Sequence, residues 1–248
     1  MDIKILTYEQ ASSSNDIAKE LAGMENSHGT VVVVNSQTSG RGRMGRSFIS
    51  SSQNGLYMSI VLKPDKEVEK YSLLTAMSCV AVVNAIKKCT GKSAQIKWVN
   101  DVYLNDKKIC GILTESKLGG GGYEYIICGI GVNILPPDGG FDKEILDIAG
   151  ALLDGPCDPE FKLTLCKAIV KEFFKYYDNI EAKEFMPLYR EKSCIIGSEV
   201  DVYFGNDIIP ATVIDIDNNA ALVVKCQSGE IRRFNSGEAR VRRSGQTL

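Results

Sequence analysis

Residues 31–34 are four consecutive valines, and the stretch they open, VVVVNSQTSGRGRMGRSFISSS at 31–52, constrains the fold more than any other. A short β-branched run this apolar reads as a buried strand. Gly40, Gly42 and Gly45 behind it match G-x-G-x-x-G, which cradles a dinucleotide pyrophosphate when a helix starts inside the loop. No helical period starts there. Arg46-Ser47-Phe48-Ile49 and the serines after it lead through the turn pair Asn54-Gly55 to a second strand pattern, LYMSIVL at 56–62. Asp65, at the distance of a ribose-binding acid, follows Pro64 in a turn pattern. The glycines therefore sit on a loop between strands, and a dinucleotide fold is set aside.

Arg41, Arg43 and Arg46 fill the gaps between those glycines. Like charges ~4 Å apart near a protein surface cost on the order of 4 kcal/mol, so such a loop calls for an anion. Arginines pointing into water are the plain alternative. The alternation of Gly and Arg favours a ligand, because glycine admits close backbone approach and guanidinium forks match carboxylate or phosphate.

The chain's 248 residues, 44% hydrophobic and 24% charged, suffice for one large domain or one large and one small. A formal net charge of −2 argues against general attraction for nucleic acid. The eight cysteines form no C-x-x-C pair and read as reduced thiols of a cytoplasmic protein. No run of about 18 apolar residues suggests a membrane span. His28 is the single histidine, which argues against a catalytic triad or a His-based metal site.

The periodicities predict an α+β fold. A strand at 2–8 precedes a helix over 12–23, capped by one of Ser12 to Ser14 and ended by Gly23. A buried helix is expected from Val68 to about Cys89, strands and a hairpin at Asn105-Asp106 between Ala94 and Leu135, and helices over 143–153 and 159–193. From about 196 the pattern becomes short strands between turns at Gly205-Asn206, Asn218-Asn219 and Ser228-Gly229, a small SH3-like β-barrel. The expected division is a catalytic domain over 1–195 and a C-terminal domain over 196–248.

Two further stretches stand out: KWVNDVYLNDKKICGIL at 97–113, and GIGVNI at 129–134, where glycines interrupt a strand as they do where a ligand approaches closely. Ser13-Ser14-Asn15, Gln37 with the Gly40–Arg46 run, Lys97-Trp98-Val99-Asn100-Asp101 with Lys108-Ile109-Cys110-Gly111-Ile112-Leu113, and Gly129-Ile130-Gly131-Val132-Asn133 occur in that order. Together they resemble the biotin protein ligases, over nearly the whole chain. Val99 stands where that family usually has Pro, which bears on the backbone before Asn100 and leaves the chemistry alone.

The resemblance implies a mixed β-sheet catalytic domain with packed helices and an SH3-like tail. It implies an enzyme that joins biotin to ATP as biotinyl-5′-adenylate, with Mg²⁺, then transfers biotin to a lysine of a carrier domain such as that of acetyl-CoA carboxylase. Ser13, Ser14, Asn15 and Gln37 would meet the biotin head, and Arg41, Gly42 and Arg43 would close over biotin and adenylate. Lys108 would face the carboxylate and α-phosphate, and Gly111, Gly129 and Gly131 would line the valeryl tunnel. Asn133 would contact adenine, Arg46, Asn100 and Asp101 the nucleotide, Asp101 also the metal, and Glu238 and Arg242 would reach back to the phosphates. Some members carry an N-terminal helix-turn-helix; here the catalytic pattern starts within about ten residues of Met1, so no operator binding is expected. A homodimer is open. The rivals are a lipoate protein ligase and, in another class, a nucleic-acid-binding module using Arg232, Arg233, Arg240, Arg242 and Arg243.

Overall fold

The computed structural model describes residues 3–50, 54–64, 69–120, 122–235 and 239–243. Its centre is a seven-stranded sheet in the order β1-β2-β3-β7-β6-β5-β4. The strands are β1 (Ile5–Ala11), β2 (Val31–Gln37), β3 (Gly55–Leu62), β4 (Gln95–Lys97), β5 (Asp101–Leu104), β6 (Lys107–Gly119) and β7 (Gly122–Asn133). β1 and β2 pair in parallel across helix α1 (Ser14–Ala22), and every other neighbour in this sheet is antiparallel.

The four valines are buried because the sheet is covered on both faces. Val31 and Val33 join the main core with helices α2 (Leu74–Thr90) and α3 (Phe161–Tyr177), while Val32 and Val34 pack with Ala18 and Ala22 of α1. Period-two alternation thus sends successive valines to two different hydrophobic layers. Helix α2, with a 3-10 turn (Glu69–Leu73) ahead of it, is long and apolar enough to cross a membrane by composition, but most of that stretch is buried in the core. Gly91 ends it at φ 73°, a left-handed cap that glycine takes without strain.

Residues 143–153, expected as a helix, form turns instead. The backbone there is engaged elsewhere: Lys108 N–H donates to Ile148 O, Gly150 N–H to Lys108 O, and Leu152 N–H to Asn133 O. Bonds to strand ends replace the i→i−4 ladder, and Gly139 and Gly140 at positive φ free the chain to wrap there. The expected helix over 159–193 is broken into α3, a 3-10 turn (Ile180–Ala182) and α4 (Met186–Glu191).

The C-terminal unit is an SH3-like five-stranded antiparallel sheet, ordered β11-β10-β9-β8-β12. Its strands are β8 (Glu199–Phe204), β9 (Asp207–Ile216), β10 (Leu222–Cys226), β11 (Ile231–Phe234) and β12 (Ala239–Arg243). All eight cysteines are free thiols.

Candidate active site

One face of the large sheet is stripped of bulk. On β7, Cys128, Ile130 and Val132 point into the α2–α3 core, so Gly129 and Gly131 fall on the opposite, α1-side face. The register places Gly131 between Tyr57 and Gly111, and Gly129 between Ser59 and Leu113. A Cβ on Gly131 would stand 2.7 Å from the Phe48 ring, one on Gly111 3.3 Å from the same ring and from Lys108 Nζ, and one on Gly129 2.3 Å from Asn15 Oδ1. These glycines make room for side chains from the loops above.

The first turn of α1 supplies one wall. Ser13 is the N-cap and its hydroxyl accepts from Asn15 N–H at 3.2 Å, which turns Ser14 and Asn15 onto the sheet floor. Ser14 N–H donates to Gln37 Oε1 at 2.7 Å, and Gln37 Nε2 to Ser50 Oγ at 2.8 Å. Ser59 Oγ is within hydrogen-bond distance of Ser14 Oγ, 2.8 Å, and of Asn15 Oδ1, 2.6 Å. Asn15 Nδ2 donates to Glu115 Oε2 at 2.6 Å, and Lys19 Nζ to Glu115 Oε1 at 2.7 Å. Burial alone would raise the Glu115 carboxyl, but those two donors outweigh it and hold it below its ordinary range.

The Gly/Arg loop forms the rim, and its three cations take separate environments. Arg41 forks Asp16, which is also held by Ser12 Oγ at 2.7 Å; the guanidinium keeps the Asp16 carboxyl below its usual range. Arg43 donates to Asn100 Oδ1 at 3.3 Å; burial lowers its pKa, with Asp101 pulling the other way. Arg46 is exposed at the rim. The repulsion among the three guanidiniums is thus met in part from inside the protein. Met44 at φ 56° and Gly45 at φ 74° turn the loop back, and Phe48 N–H closes it on Gly40 O at 2.9 Å. Gly40 has no room for a side chain, since a Cβ would meet Phe48 O and Ser50 Oγ at 2.3 Å.

The β4–β5 corner and the β5–β6 hairpin supply the opposite wall. Asn105 and Asp106 adopt φ 50° and 59°, the turn expected at that pair. The Trp98–Val99 peptide is cis. Asn100 Nδ2 donates to Ile112 O at 2.9 Å, presenting its oxygen to Arg43. Lys108 Nζ stands 2.7 Å from Asp101 Oδ1, yet that oxygen is buried with no hydrogen-bond donor aligned on it. Among the described residues no three His, Cys, Asp or Glu side chains cluster to hold a metal. A single carboxylate, here Asp101, still suits Mg²⁺, which keeps several waters and takes its other ligands from phosphates.

These walls enclose a cavity of about 1030 Å³. It is lined by Ser13, Ser14, Asn15, Gln37, Arg41, Gly42, Arg43, Arg46, Asn100, Asp101, Lys108, Gly111, Gly129, Gly131 and Arg242, fifteen of the residues singled out in the sequence. Asn133 is not among the lining residues; its amide donates to Gly150 O at 3.0 Å, fastening the 134–152 segment. Glu238 lies outside the described residues. Arg232, offered for nucleic acid, is instead held over Phe204 and Phe234, and Arg242 over Tyr203 at 5.3 Å. The motifs did not single out Phe48, Tyr203 and Ile208, or Lys143, Glu144, Asp147 and Ile148, all of which line the cavity. Phe48 lay in plain view two residues after the last loop arginine, whereas the others come from an expected helix and the C-terminal domain.

The sequence model of the Biotin/lipoate A/B protein ligase family matches residues 7–133, and that of the Biotin protein ligase C terminal domain matches 195–242. The bifunctional ligase/repressor BirA of Bacillus spizizenii is 34% identical over 230 residues, 92% of this chain and 70% of that protein. The corresponding BirA of Bacillus subtilis is 32% identical, over 94% of this chain and 73% of its own. Among solved structures, biotin protein ligase from Aquifex aeolicus in complex with biotin and ATP superimposes with a TM-score of 0.79 at 28% identity, covering 97% of this chain and 99% of that one.

Proposed function

Since the chain belongs to the biotin/lipoate A/B protein ligase family, in its biotin protein ligase branch, we propose that it activates biotin with ATP and passes it to a carrier-protein lysine. In the first step a biotin carboxylate oxygen attacks the α-phosphorus, forming biotinyl-5′-adenylate as pyrophosphate leaves. In the second, a neutral lysine amine attacks the acyl carbon and AMP leaves with the bonding electrons. The carrier lysine belongs to a biotin carboxyl carrier domain of an acetyl-CoA carboxylase or similar enzyme, as the name biotin--[acetyl-CoA-carboxylase] ligase of a Paracoccus denitrificans relative suggests.

The observation that carries this reading is the placement of Arg43 and Lys108 around Asn100 and Asp101, beside a polar α1 wall, in one cavity. Two anions must meet in the first step, and fixed cations offset their repulsion at no reorganisation cost. Lys108, a compact point charge, suits the carboxylate and α-phosphate oxygens. Moving onto the substrates would release it from Asp101, the residue that would hold Mg²⁺, whose charge on the phosphates supplies further offset. Ser13, Ser14, Asn15 and Gln37 offer donors and acceptors to a ureido head, and Gly111, Gly129 and Gly131 leave a slot for an aliphatic chain. Arg41, tied to α1 through Asp16, closes the loop over that slot and keeps water from the anhydride. Arg242 and Arg46 line the same cavity and would meet the nucleotide phosphates.

Incubation with biotin, MgATP and a carrier domain should add one biotinyl mass to the carrier, and biotin alone should drive ATP–pyrophosphate exchange. Exchange driven by lipoate and not by biotin, or by neither, overturns the reading.

A further inference from the structure

We infer that two buried hydrogen bonds, one from Trp98 to Ala220 in the C-terminal domain and one from Tyr189 of α4 to Val99, clamp the segment carrying Asn100 and Asp101 and so position the nucleotide side of the cavity. Trp98, the chain's single tryptophan and 6% exposed, donates its indole N–H to Ala220 O at 2.8 Å. Ala220 lies in the turn between β9 and β10, which is itself braced: Asp217 Oδ1 accepts from Asn219 N–H at 2.8 Å and from Ala221 N–H at 3.0 Å. The same turn is tied to the α4 region by Arg190 Nε to Ile216 O at 2.5 Å and Lys183 Nζ to Asn219 Oδ1 at 2.8 Å. From α4 the fully buried Tyr189 donates its hydroxyl to Val99 O at 3.0 Å. The next two residues are Asn100, whose oxygen receives Arg43, and Asp101, which faces Lys108.

Trp98 and Val99 are therefore held from below by the C-terminal turn and α4, and the residues that fix Arg43 and Lys108 follow directly in the chain. The biotin-head wall has a different foundation, since its hydrogen bonds run among α1, β2, β3, Ser50 and Glu115. A structural role alone would weaken both walls through lost stability. A positioning role weakens the nucleotide side selectively, because a buried donor removed from one end of a polar chain frees the groups beyond it.

The inference rests on the proposed reaction, and the unmodified enzyme separates the two: absence of biotin-dependent exchange there sinks the reaction. Tyr189→Phe removes one hydroxyl at a residue outside the cavity lining and is the deciding variant, and Trp98→Phe, at a lining residue, removes the other donor. Biotin binding without ATP is measured by calorimetry, and KM for ATP and kcat by pyrophosphate exchange, with circular dichroism confirming the fold. The expected result is biotin affinity within about twofold of the parent and kcat/KM for ATP lower by about tenfold or more in each folded variant. An equal fall in biotin affinity and exchange, unchanged exchange, or loss of folding in both variants overturns it.

Discussion

Adding one methyl group at Gly129 tests the logic of the cleared sheet face. A Cβ there would lie 2.3 Å from Asn15 Oδ1 and 3.0 Å from Cγ and Nδ2. Asn15 is buried and has no easy retreat, since Ser59 Oγ stands 2.6 Å from its oxygen and Glu115 Oε2 accepts from its nitrogen at 2.6 Å. Moving it breaks one neutral hydrogen bond of about 1 kcal/mol and one to a carboxylate of about 1.5–3 kcal/mol. Burial of the new methyl returns about 0.8 kcal/mol. Gly129→Ala should therefore lose roughly 2–3 kcal/mol, a melting decrease of roughly 4–12 °C for a chain this size. Biotin affinity should fall by about tenfold, because the displaced amide belongs to the wall assigned to the ureido head. Calorimetric melting and biotin titration measure both. If the clash with Asn15 is the cause, the same substitution in an Asn15→Ala background should cost at least about 1 kcal/mol less. Additive effects, or a Gly129→Ala protein that melts and binds biotin like the parent, would refute the reasoning.

Lys108→Ala should abolish biotin-dependent exchange by about a hundredfold or more while costing on the order of 1–2 kcal/mol of stability for the carboxylate left facing it; normal exchange would remove Lys108 from the mechanism. Asp16→Asn should loosen the Gly/Arg loop by weakening the fork on Arg41, seen as several-fold faster tryptic cleavage in that loop; an unchanged rate would mean that the clasp does not hold the loop. His28 accepts from Lys63 N–H at 3.0 Å through Nδ1, and burial lowers its pKa against the opposing field of Asp178. Below the unfolded value of about 6.5 the unfolded chain binds the proton first, so stability should drop as pH falls through that window and on toward the lower folded value. His28→Gln should flatten this slope below about pH 6.5; an identical slope in both proteins would assign it to other groups.

Much of the site was legible because its chemistry depends on residue types that have few other uses in a strand or loop. Glycines at alternate positions of a strand waste packing, so Gly129 and Gly131 announced a close approach before any partner was known. Arginines between glycines announced an anion, although the structure gives Arg41 an internal carboxylate, Asp16, that lies 25 residues earlier in the chain. No pattern in one stretch could reveal that pairing, because i to i+25 contacts are made by the fold. The misread helix over 143–153 has a similar origin. Its apolar spacing is real, but the backbone of Lys108 and Asn133 competes for its peptide groups, and tertiary hydrogen bonds outweigh a weak local propensity.

The same competition explains how two domains come to share one cavity. Strand parity strips side chains from the α1 face of the sheet, which leaves a floor without a roof over the end proposed to hold the nucleotide. The 142–149 turns and the edge of the C-terminal sheet, through Tyr203, Ile208 and Val241, close over that end. Neither carries a motif, since a roof needs shape and a few apolar contacts, whereas the floor and rim need particular atoms at particular points. Substitutions in the roof should therefore be tolerated when size and polarity are kept. The Trp98 and Tyr189 bonds differ, because each fastens the 98–99 segment that leads directly into Asn100 and Asp101.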